Sequence, residues 1–194
     1  MAALPLPKLT FDQYLEIERE AEFRSEFIKG DVVAMSGGTD NHNLITLRTA
    51  SLLDQQLGDG PCMAYSNDMQ VYSEAEDVSA FPDILVTCGP RRYRRDRRDI
   101  LIDATVIVEV LSPSTKRYDI GEKFFYYRSL PSFREYLLLW QDRVRAQHHV
   151  RQSDGAWVMR EYAGVESVIE LPSIGCRLPL KSAYARIEFE TPGE

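Results

Sequence analysis

Apolar residues recur at helical spacing in several segments of the chain. Thr10–Gln13 has the form of a capping box, and leucine and isoleucine follow it among acidic residues, which indicates the start of a short helix. A longer leucine stripe ends at Gly58, a residue typical of helix ends. The segments predicted to be helical are about Thr10–Glu20, Asn41–Leu57, Tyr118–Leu130 and the amphipathic Leu180–Ile187.

The segments between these helices show the alternation or the short apolar runs of β-strands. Phe27–Met35 reads as a hairpin that turns at Lys29–Asp31. The other predicted strands are Met63–Tyr72, Asp83–Thr87, Thr105–Leu111, Glu135–Trp140, Arg145–Arg151, Ala156–Tyr162 and Ser167–Glu170. A helix that crosses over between buried strands indicates an α/β (α+β) fold, in which helices flank a mixed β-sheet.

Length and composition fit one domain that spans residues 1–194. Hydrophobic residues make up 44% and charged residues 27%, as in ordinary soluble globular proteins, and no linker or repeat marks a boundary. We expect no membrane partner, because no apolar run approaches the roughly 18 residues that a span needs. The start of the chain lacks the basic and apolar regions of a secretory signal, and the cysteines are Cys62, Cys88 and Cys176. Their odd number and wide spacing argue against a disulfide scaffold or a structural zinc site, which suits a reducing cytoplasm.

Charge is distributed unevenly along the chain. The formal net charge is −7, which disfavours unspecific binding to nucleic acid. The segment Arg91–Arg98, however, contains six arginines and one aspartate, a local charge of +5. Subtracting this segment from the total leaves −12 for the remainder of the chain.

Two carboxylates lie in strands that are otherwise apolar. Glu109 stands in a run of valine, isoleucine and leucine that predicts a strand buried on both faces, and Asp83 begins a second apolar strand after Pro82. A buried carboxylate needs a cation, a metal or a proton to compensate it. Each could instead be a structural carboxylate in an ion pair or a turn. Together, on neighbouring strands, they form a hard-oxygen pair suited to Mg²⁺, with Mn²⁺ as a substitute.

The chain resembles the Uma2 family, also called DUF820, which is described as a family of restriction endonucleases. The resemblance is carried by Phe81–Asp83, by the block Glu-Val-Leu-Ser-Pro-Ser-Thr at Glu109–Thr115, and by Asp119, Lys123 and Tyr127. Segments near Leu9–Tyr14, Glu26–Gly30 and Met35–His42 extend it over nearly the whole chain. The resemblance implies a PD-(D/E)xK nuclease core, with Asp83 and Glu109 as catalytic metal ligands.

One position departs from the motif of that superfamily. The motif lysine follows the glutamate by two positions, and Leu111 stands there in this chain. The resemblance implies that Lys123, on the following helix, takes the catalytic role and orients or deprotonates water or stabilises charge on the phosphate. The alternative is an exposed helix lysine that pairs with a neighbouring carboxylate.

Two further residues are candidates for the same site. Glu26 precedes the first predicted strand, where the superfamily places an auxiliary catalytic glutamate; otherwise it is solvated in a charge-rich segment. His42 opens the second helix and could contact a phosphate or a water molecule on the metal, although a histidine there is often a cap or a surface residue. His148 and His149 are neighbours on a strand, face opposite ways and are interpreted as structural.

The arginine segment supplies the candidate contacts to nucleic acid. Arginine binds phosphate in a bidentate manner, so we expect Arg91, Arg92, Arg94 and Arg95 to lie in a loop that contacts the substrate. Tyr93 offers a ring for stacking on a base. The alternative is a mobile surface loop that pairs with neighbouring aspartates.

The sequence therefore leads to a Mg²⁺-dependent endonuclease that hydrolyses phosphodiester bonds, with DNA as the expected partner. A cut in both strands of a duplex would favour a two-fold homodimer. The alternatives are a nuclease-fold module that binds nucleic acid or protein without cutting, and an acidic partner of a toxin–antitoxin-like complex. The acidic balance and Leu111 both favour the non-catalytic module.

Overall fold

The computed structural model describes residues 8–35, 37–66, 68–95 and 97–189. Within these ranges the chain is a mixed α/β fold, which confirms the predicted fold class. The helices are α1 (Phe11–Glu20), α2 (Asp40–Leu57), α3 (Lys116–Tyr118), α4 (Phe124–Arg128) and α5 (Leu180–Ala183), with a π-helical turn, Asp119–Lys123, joining α3 to α4. None of the helices in the described ranges is long and apolar enough to cross a membrane.

The strands of the described residues divide between two six-stranded sheets and one small hairpin. The first sheet, in the order β2-β1-β5-β4-β8-β7, consists of β1 (Ser25–Ile28), β2 (Asp31–Ala34), β4 (Gln70–Ser73), β5 (Val78–Ala80), β7 (Tyr93–Arg94) and β8 (Arg97–Leu101). The second sheet, in the order β12-β11-β10-β9-β6-β3, consists of β3 (Cys62–Ser66), β6 (Ile84–Cys88), β9 (Val106–Leu111), β10 (Glu135–Trp140), β11 (Arg145–Arg151) and β12 (Trp157–Ala163). The hairpin pairs β13 (Val168–Leu171) with β14 (Cys176–Pro179).

Both large sheets are mixed, where the sequence led us to expect one. Parallel pairs join β9 to β10 and β4 to β8, and the neighbouring strands run antiparallel. The single strand predicted over Met63–Tyr72 is wrong, because its first half is β3 in the second sheet and its second half is β4 in the first. The polar run Ser66-Asn67-Asp68 between the two halves is typical of a turn, and it is the signal in the sequence for this break.

β9 forms the centre of the second sheet and is buried along its whole length, as its apolar run predicts. Val106, Val108 and Val110 pack in a core with α2, α5 and the β13–β14 hairpin. Ile107 and Leu111 point to the opposite face, where they pack with residues of β10 and α4. Side chains alternate along a strand, so Glu109 shares the second face with Ile107 and Leu111.

α1 fixes the position of β1. The predicted capping box is present: the Thr10 hydroxyl accepts a hydrogen bond from Gln13 N at 3.2 Å, and Gln13 Oε1 accepts one from Thr10 N at 2.9 Å. The rings of Phe11 and Tyr14 lie 5.2 and 5.4 Å from the ring of Phe27 on β1. The helix thereby holds the strand that carries Glu26.

Two of the three cysteines are bonded, which corrects the expectation of a chain without disulfides. Cys62 on β3 and Cys88 on β6 are direct partners in the antiparallel register and form a disulfide, whereas Cys176 is free and buried. Their separation of 26 positions in the sequence conceals this proximity, because only the pairing of β3 with β6 brings them together.

We expect Thr10→Ala to lower the free energy of unfolding by about 1 kcal/mol, because the substitution removes the side-chain cap of α1. Thr10→Ser is the matched control, since it retains the hydroxyl, and it should remain near the wild-type value. Urea denaturation followed by circular dichroism measures both variants. Equal stability of the alanine and serine variants would show that the capping box does not stabilise the fold.

Candidate active site

The pairing between β6 and β9 stops where the candidate site begins. The register runs from Val86↔Val106 to Ile84↔Val108, and Asp83 then continues the contact through its side chain. Its Oδ2 accepts a hydrogen bond from Val110 N at 2.7 Å, and its backbone N donates to Glu109 Oε2 at 3.3 Å. The preceding residue, Pro82, has no N–H with which to extend the ladder. Asp83 and Glu109 are therefore neighbours, as the sequence predicts.

Glu109 is 3% exposed, and both of its oxygens accept hydrogen bonds. Oε1 accepts from Lys123 Nζ at 3.1 Å and from the Tyr127 hydroxyl at 2.9 Å. Burial raises the pKa of the Glu109 carboxyl well above its usual range, and the nearby carboxylates of Asp83 and Asp119 raise it further, while the Lys123 ammonium opposes the shift. Any additional cation at this point would relieve the same repulsion.

Lys123 is 6% exposed, so it is not the solvated helix lysine of the alternative interpretation. Its Nζ lies 3.1 Å from Glu26 Oε1, 3.1 Å from Glu109 Oε1 and 3.4 Å from Asp119 Oδ1. Burial alone would lower the pKa of Lys123, but Glu109, Glu26 and Asp119 outweigh it and hold the pKa well above its usual range. Three carboxylates therefore surround the ammonium group, and Glu109 accepts a hydrogen bond from it.

The π-turn aligns the polar residues of this helical segment. Four residues of α-helix rotate by about 400°, so positions spaced by four drift about 40° per step around the axis. A π-turn has more residues per turn and counteracts this drift. Asp119, Lys123 and Tyr127, each four residues apart, consequently reach one cluster. The sequence alone assigns no chemical role to Asp119 and Tyr127. Their spacing of four residues on either side of Lys123 is the signal that places them on the same helix face.

Leu111, at the usual lysine position of the motif, faces the core instead of the cleft. It is 2% exposed and packs with Leu138 and Trp140. A lysine there would bury its charge among apolar side chains, far less favourably than Lys123 does among carboxylates. The helix therefore supplies the cation that the strand position lacks.

Glu26 lies within β1, which corrects its predicted place before the first strand. The side chain is buried at 4% exposure, contrary to the solvated alternative. Its Oε1 meets Lys123 Nζ and accepts a hydrogen bond from Phe81 N at 3.4 Å. The first sheet thus contributes one carboxylate to a cluster whose other members lie on the second sheet and on the π-turn.

His42 lies in the first turn of α2, and its ring faces Asp83. Its Nε2 is 3.0 Å from Asp83 Oδ1, and its Nδ1 is buried without a partner among the described residues. Burial lowers the pKa of His42, but the hydrogen bond and the charge of Asp83 outweigh it, so the net shift is upward. Gly38 permits this placement, because a Cβ there would stand 2.8 Å from His42 Cδ2.

These side chains line a cleft of about 360 Å³. Its charged members are the carboxylates of Glu26, Asp83, Glu109 and Asp119, and the ammonium of Lys123. Four negative charges and one positive charge leave a formal excess of three negative charges when His42 is neutral. Val33, Met35 and Phe81 form an apolar wall beside them.

The donor set of the cleft fits a hard divalent cation. Carboxylate oxygens are the ligands that Mg²⁺ and Mn²⁺ prefer, and the excess negative charge favours a cation over an anion. Among the described residues, no group of three or more histidine, cysteine, aspartate or glutamate side chains forms a preassembled metal cage. Mg²⁺ does not require one, since it commonly takes one or two carboxylates and retains several waters. Asp83 and Glu109 are the pair that would hold it.

The segment Arg91–Arg98 is only partly the expected loop: Arg91 and Arg92 lie in a loop before β7, whereas Tyr93–Arg94 and Arg97–Arg98 belong to the β7–β8 hairpin. Asp96 lies outside the described residues. Arg94 is largely buried: it pairs with Asp12 at 3.1 Å and lies over the rings of Phe11 and Tyr72 at 4.3 and 4.6 Å. Arg95 also meets Asp12, at 3.3 Å. Arg94 therefore serves to pack α1 on the first sheet.

The remaining arginines of the segment Arg91–Arg98 differ in exposure and contacts. Arg91 and Arg92 are exposed, and Arg91 donates to the Tyr65 hydroxyl at 3.4 Å. Arg98 lies over the Tyr93 ring, so that ring already has a cation on one face. The hairpin is at the far edge of the first sheet, four strands from β1, or about 19 Å at the usual strand spacing.

His148 and His149 face opposite ways on β11, as predicted. His148 Nε2 lies 2.5 Å from Glu135 Oε2 in the core, and His149 packs against Phe124. Both therefore have structural contacts outside the cleft.

Comparison with known proteins gives consistent results. The model of the Uma2 family, described as "Putative restriction endonuclease", matches residues 11–181. Two uncharacterized proteins of Synechocystis are similar over most of their length. The protein slr1290 is 32% identical over 185 residues, which cover 95% of this chain and 96% of the relative. The protein sll1609 is 31% identical over 162 residues, which cover 84% of this chain and 92% of the relative.

A solved structure shares the fold. The crystal structure of a putative nuclease belonging to DUF820 from Anabaena variabilis superimposes with a TM-score of 0.76 and 19% sequence identity. The match covers 91% of this chain and 98% of that one, so the architecture is shared almost end to end.

Arg94→Ala should lower the free energy of unfolding by about 1 to 2 kcal/mol, because it removes a largely buried cation from two aromatic rings and from Asp12. Arg91→Ala, at an exposed arginine in the loop just before the hairpin, should change it by less than about 0.5 kcal/mol. Urea denaturation of both variants is the measurement. Similar losses for the two would contradict the distinction between packed and exposed arginines.

Proposed function

The chain belongs to the Uma2 family, and we propose that it is a divalent-metal-dependent endonuclease that hydrolyses phosphodiester bonds of DNA. The observation that carries the proposal is the convergence of Asp83, Glu109, Glu26 and Lys123 in one acidic cleft. A family described as endonucleases supplies the reaction class, and the cleft supplies groups suited to it.

Asp83 and Glu109 are the proposed ligands of Mg²⁺ or Mn²⁺. When bound, the ion would lower the pKa of a water molecule and neutralise charge on the phosphate. Val110 N and His42 orient Asp83, and Tyr127 orients Glu109, so both carboxylates have fixed positions before a ligand arrives. Fixed ligand positions lower the free-energy cost of organising the site.

Lys123 is proposed to stabilise negative charge on the phosphate. The three neighbouring carboxylates hold the pKa of Lys123 well above its usual range, and a protonated amine can donate a hydrogen bond but cannot accept a proton. This favours charge stabilisation over deprotonation of water, both of which the sequence left open. In the reaction, the water oxygen forms a bond to phosphorus while the bond to the leaving oxygen breaks, and a proton passes from water to the leaving group or solvent. Glu26 is the proposed auxiliary carboxylate.

Substrate contact outside the cleft is assigned to the exposed arginines of the loop that leads into β7. Of the four arginines expected to bind nucleic acid, Arg94 and Arg95 are paired with Asp12, which leaves Arg91 and Arg92 as the stronger candidates. His42 is directed at Asp83, which favours an orienting role over direct contact with phosphate.

Asp83→Asn and Glu109→Gln should each abolish binding of Mn²⁺ and lower cleavage of a DNA substrate by at least about 10²-fold, because each removes a proposed ligand. Glu166→Gln, which changes a remote and highly exposed carboxylate, is the matched control. Isothermal titration calorimetry and a cleavage assay on labelled DNA and RNA are the measurements. Unchanged Mn²⁺ affinity in both cleft variants would refute the metal site. Metal binding without cleavage of any polymer would favour the non-catalytic module.

Replacing Arg91 and Arg92 together with serine should reduce the slope of log affinity against log salt concentration by about 1.8 for duplex DNA, at about 0.9 per phosphate contact. Arg151→Ser with Arg160→Ser is the control pair, since these arginines lie on β11 and β12 of the second sheet and do not line the cleft. Fluorescence anisotropy of labelled duplex and single strands across a salt series provides the slopes. An equal slope in the wild type and the Arg91/Arg92 variant would show that these two arginines do not contact the substrate.

A further inference from the structure

The oxygens of Glu109 are already occupied by groups of the protein. Oε1 accepts from Lys123 Nζ and Tyr127, and Oε2 faces the backbone N of Asp83. Each carboxylate oxygen has two lone pairs, so Oε1 is fully used, whereas Oε2 keeps one acceptor position. A metal ion on Oε1 would displace Lys123 or Tyr127, and one on Oε2 would share the carboxylate with the ammonium. The contact with Lys123 is the one that a cation opposes directly, because two positive charges a few ångströms apart repel one another.

Lys123 has other partners to which it can retreat. Its Nζ is within 3.1 Å of Glu26 and 3.4 Å of Asp119, neither of which is a proposed metal ligand. Losing Glu109 would leave the ammonium with two of its three carboxylates. Tyr127 and the Asp83 amide are neutral donors and experience no comparable repulsion from a cation.

We propose that Lys123 is the resident counter-ion of the metal site and competes with the divalent cation for Glu109. Without the metal, the ammonium neutralises Glu109 and keeps the cleft assembled. Metal binding breaks the hydrogen bond between Lys123 and Glu109. The freed N–H of Lys123 can then donate to the phosphate of the substrate. This inference rests on the proposed metal site, and it concerns metal affinity instead of turnover.

The test separates competition by Lys123 from a simple change in net charge. Lys123→Gln removes the competitor and adds one formal negative charge to the cleft. The double variant Lys123→Gln/Glu26→Gln removes the competitor while the formal charge stays at three negative, as in the wild type. Lys116→Gln is the control for loss of a positive charge outside the cleft. Lys116 lies on α3 and does not line the cleft.

Isothermal titration with Mn²⁺ alone, and thermal unfolding with Mn²⁺ or with EDTA, are the measurements. We expect the double variant to bind Mn²⁺ about 10- to 100-fold more tightly than the wild type, the range for one hydrogen bond between charged groups. Lys116→Gln should bind like the wild type. Lys123→Gln should be less stable than the wild type in EDTA and should gain more stability from Mn²⁺, because its carboxylates lack a counter-ion.

The outcomes distinguish this inference from the proposed function. If the wild type and the double variant bind Mn²⁺ equally, competition by Lys123 is refuted while the metal site stands. If neither binds, the metal site itself is refuted, and the inference falls with it. Should Lys123→Gln fail to fold, the charge-matched double variant still decides the question by its affinity. A double variant that binds more weakly than the wild type would instead make Lys123 a supporter of the metal.

Discussion

The buried ammonium of Lys123 joins three parts of the molecule that otherwise belong to separate layers. Glu26 comes from the first sheet, Glu109 from the centre of the second sheet, and Asp119 from the π-turn that carries Lys123 itself. Charges removed from water are costly unless each is paired and hydrogen-bonded. The three elements must therefore stay in register for the cluster to be tolerated, and this requirement defines the cleft between the two sheets.

The site residues that could be predicted from sequence are charged residues within otherwise apolar strands. Glu109 stands out because every neighbour on β9 is apolar, and Asp83 stands out because it begins an apolar strand. Lys123 has no such contrast, since it lies between Glu122 and Phe124 on a segment rich in polar and aromatic residues. Its place in the interpretation came from family resemblance, and its burial became evident only when the helix was packed against both sheets.

Other features depend on long-range contacts that the residue pattern does not encode. The π-turn aligns Asp119 and Tyr127 with Lys123, but the sequence there is compatible with an ordinary helix. Likewise, the polar residues between β3 and β4 mark a break, but they do not show that the chain leaves the second sheet there and enters the first. The charge of the arginine segment shows the same dependence on long-range contacts. The local charge of +5 is evident from the sequence, but Arg94 and Arg95 form ion pairs with Asp12, about eighty positions earlier.

The hydrogen bond from Val110 N to Asp83 Oδ2 makes one amide of β9 different from its neighbours. An N–H group that donates to a main-chain carbonyl of the neighbouring strand exchanges with deuterium when the sheet opens there. The Val110 N–H depends instead on the orientation of one carboxylate. Its exchange with deuterium, or its nitrogen chemical shift, therefore reports on the state of Asp83 without any label in the cleft. The backbone itself contains a spectroscopic probe of the site, one residue away from Glu109.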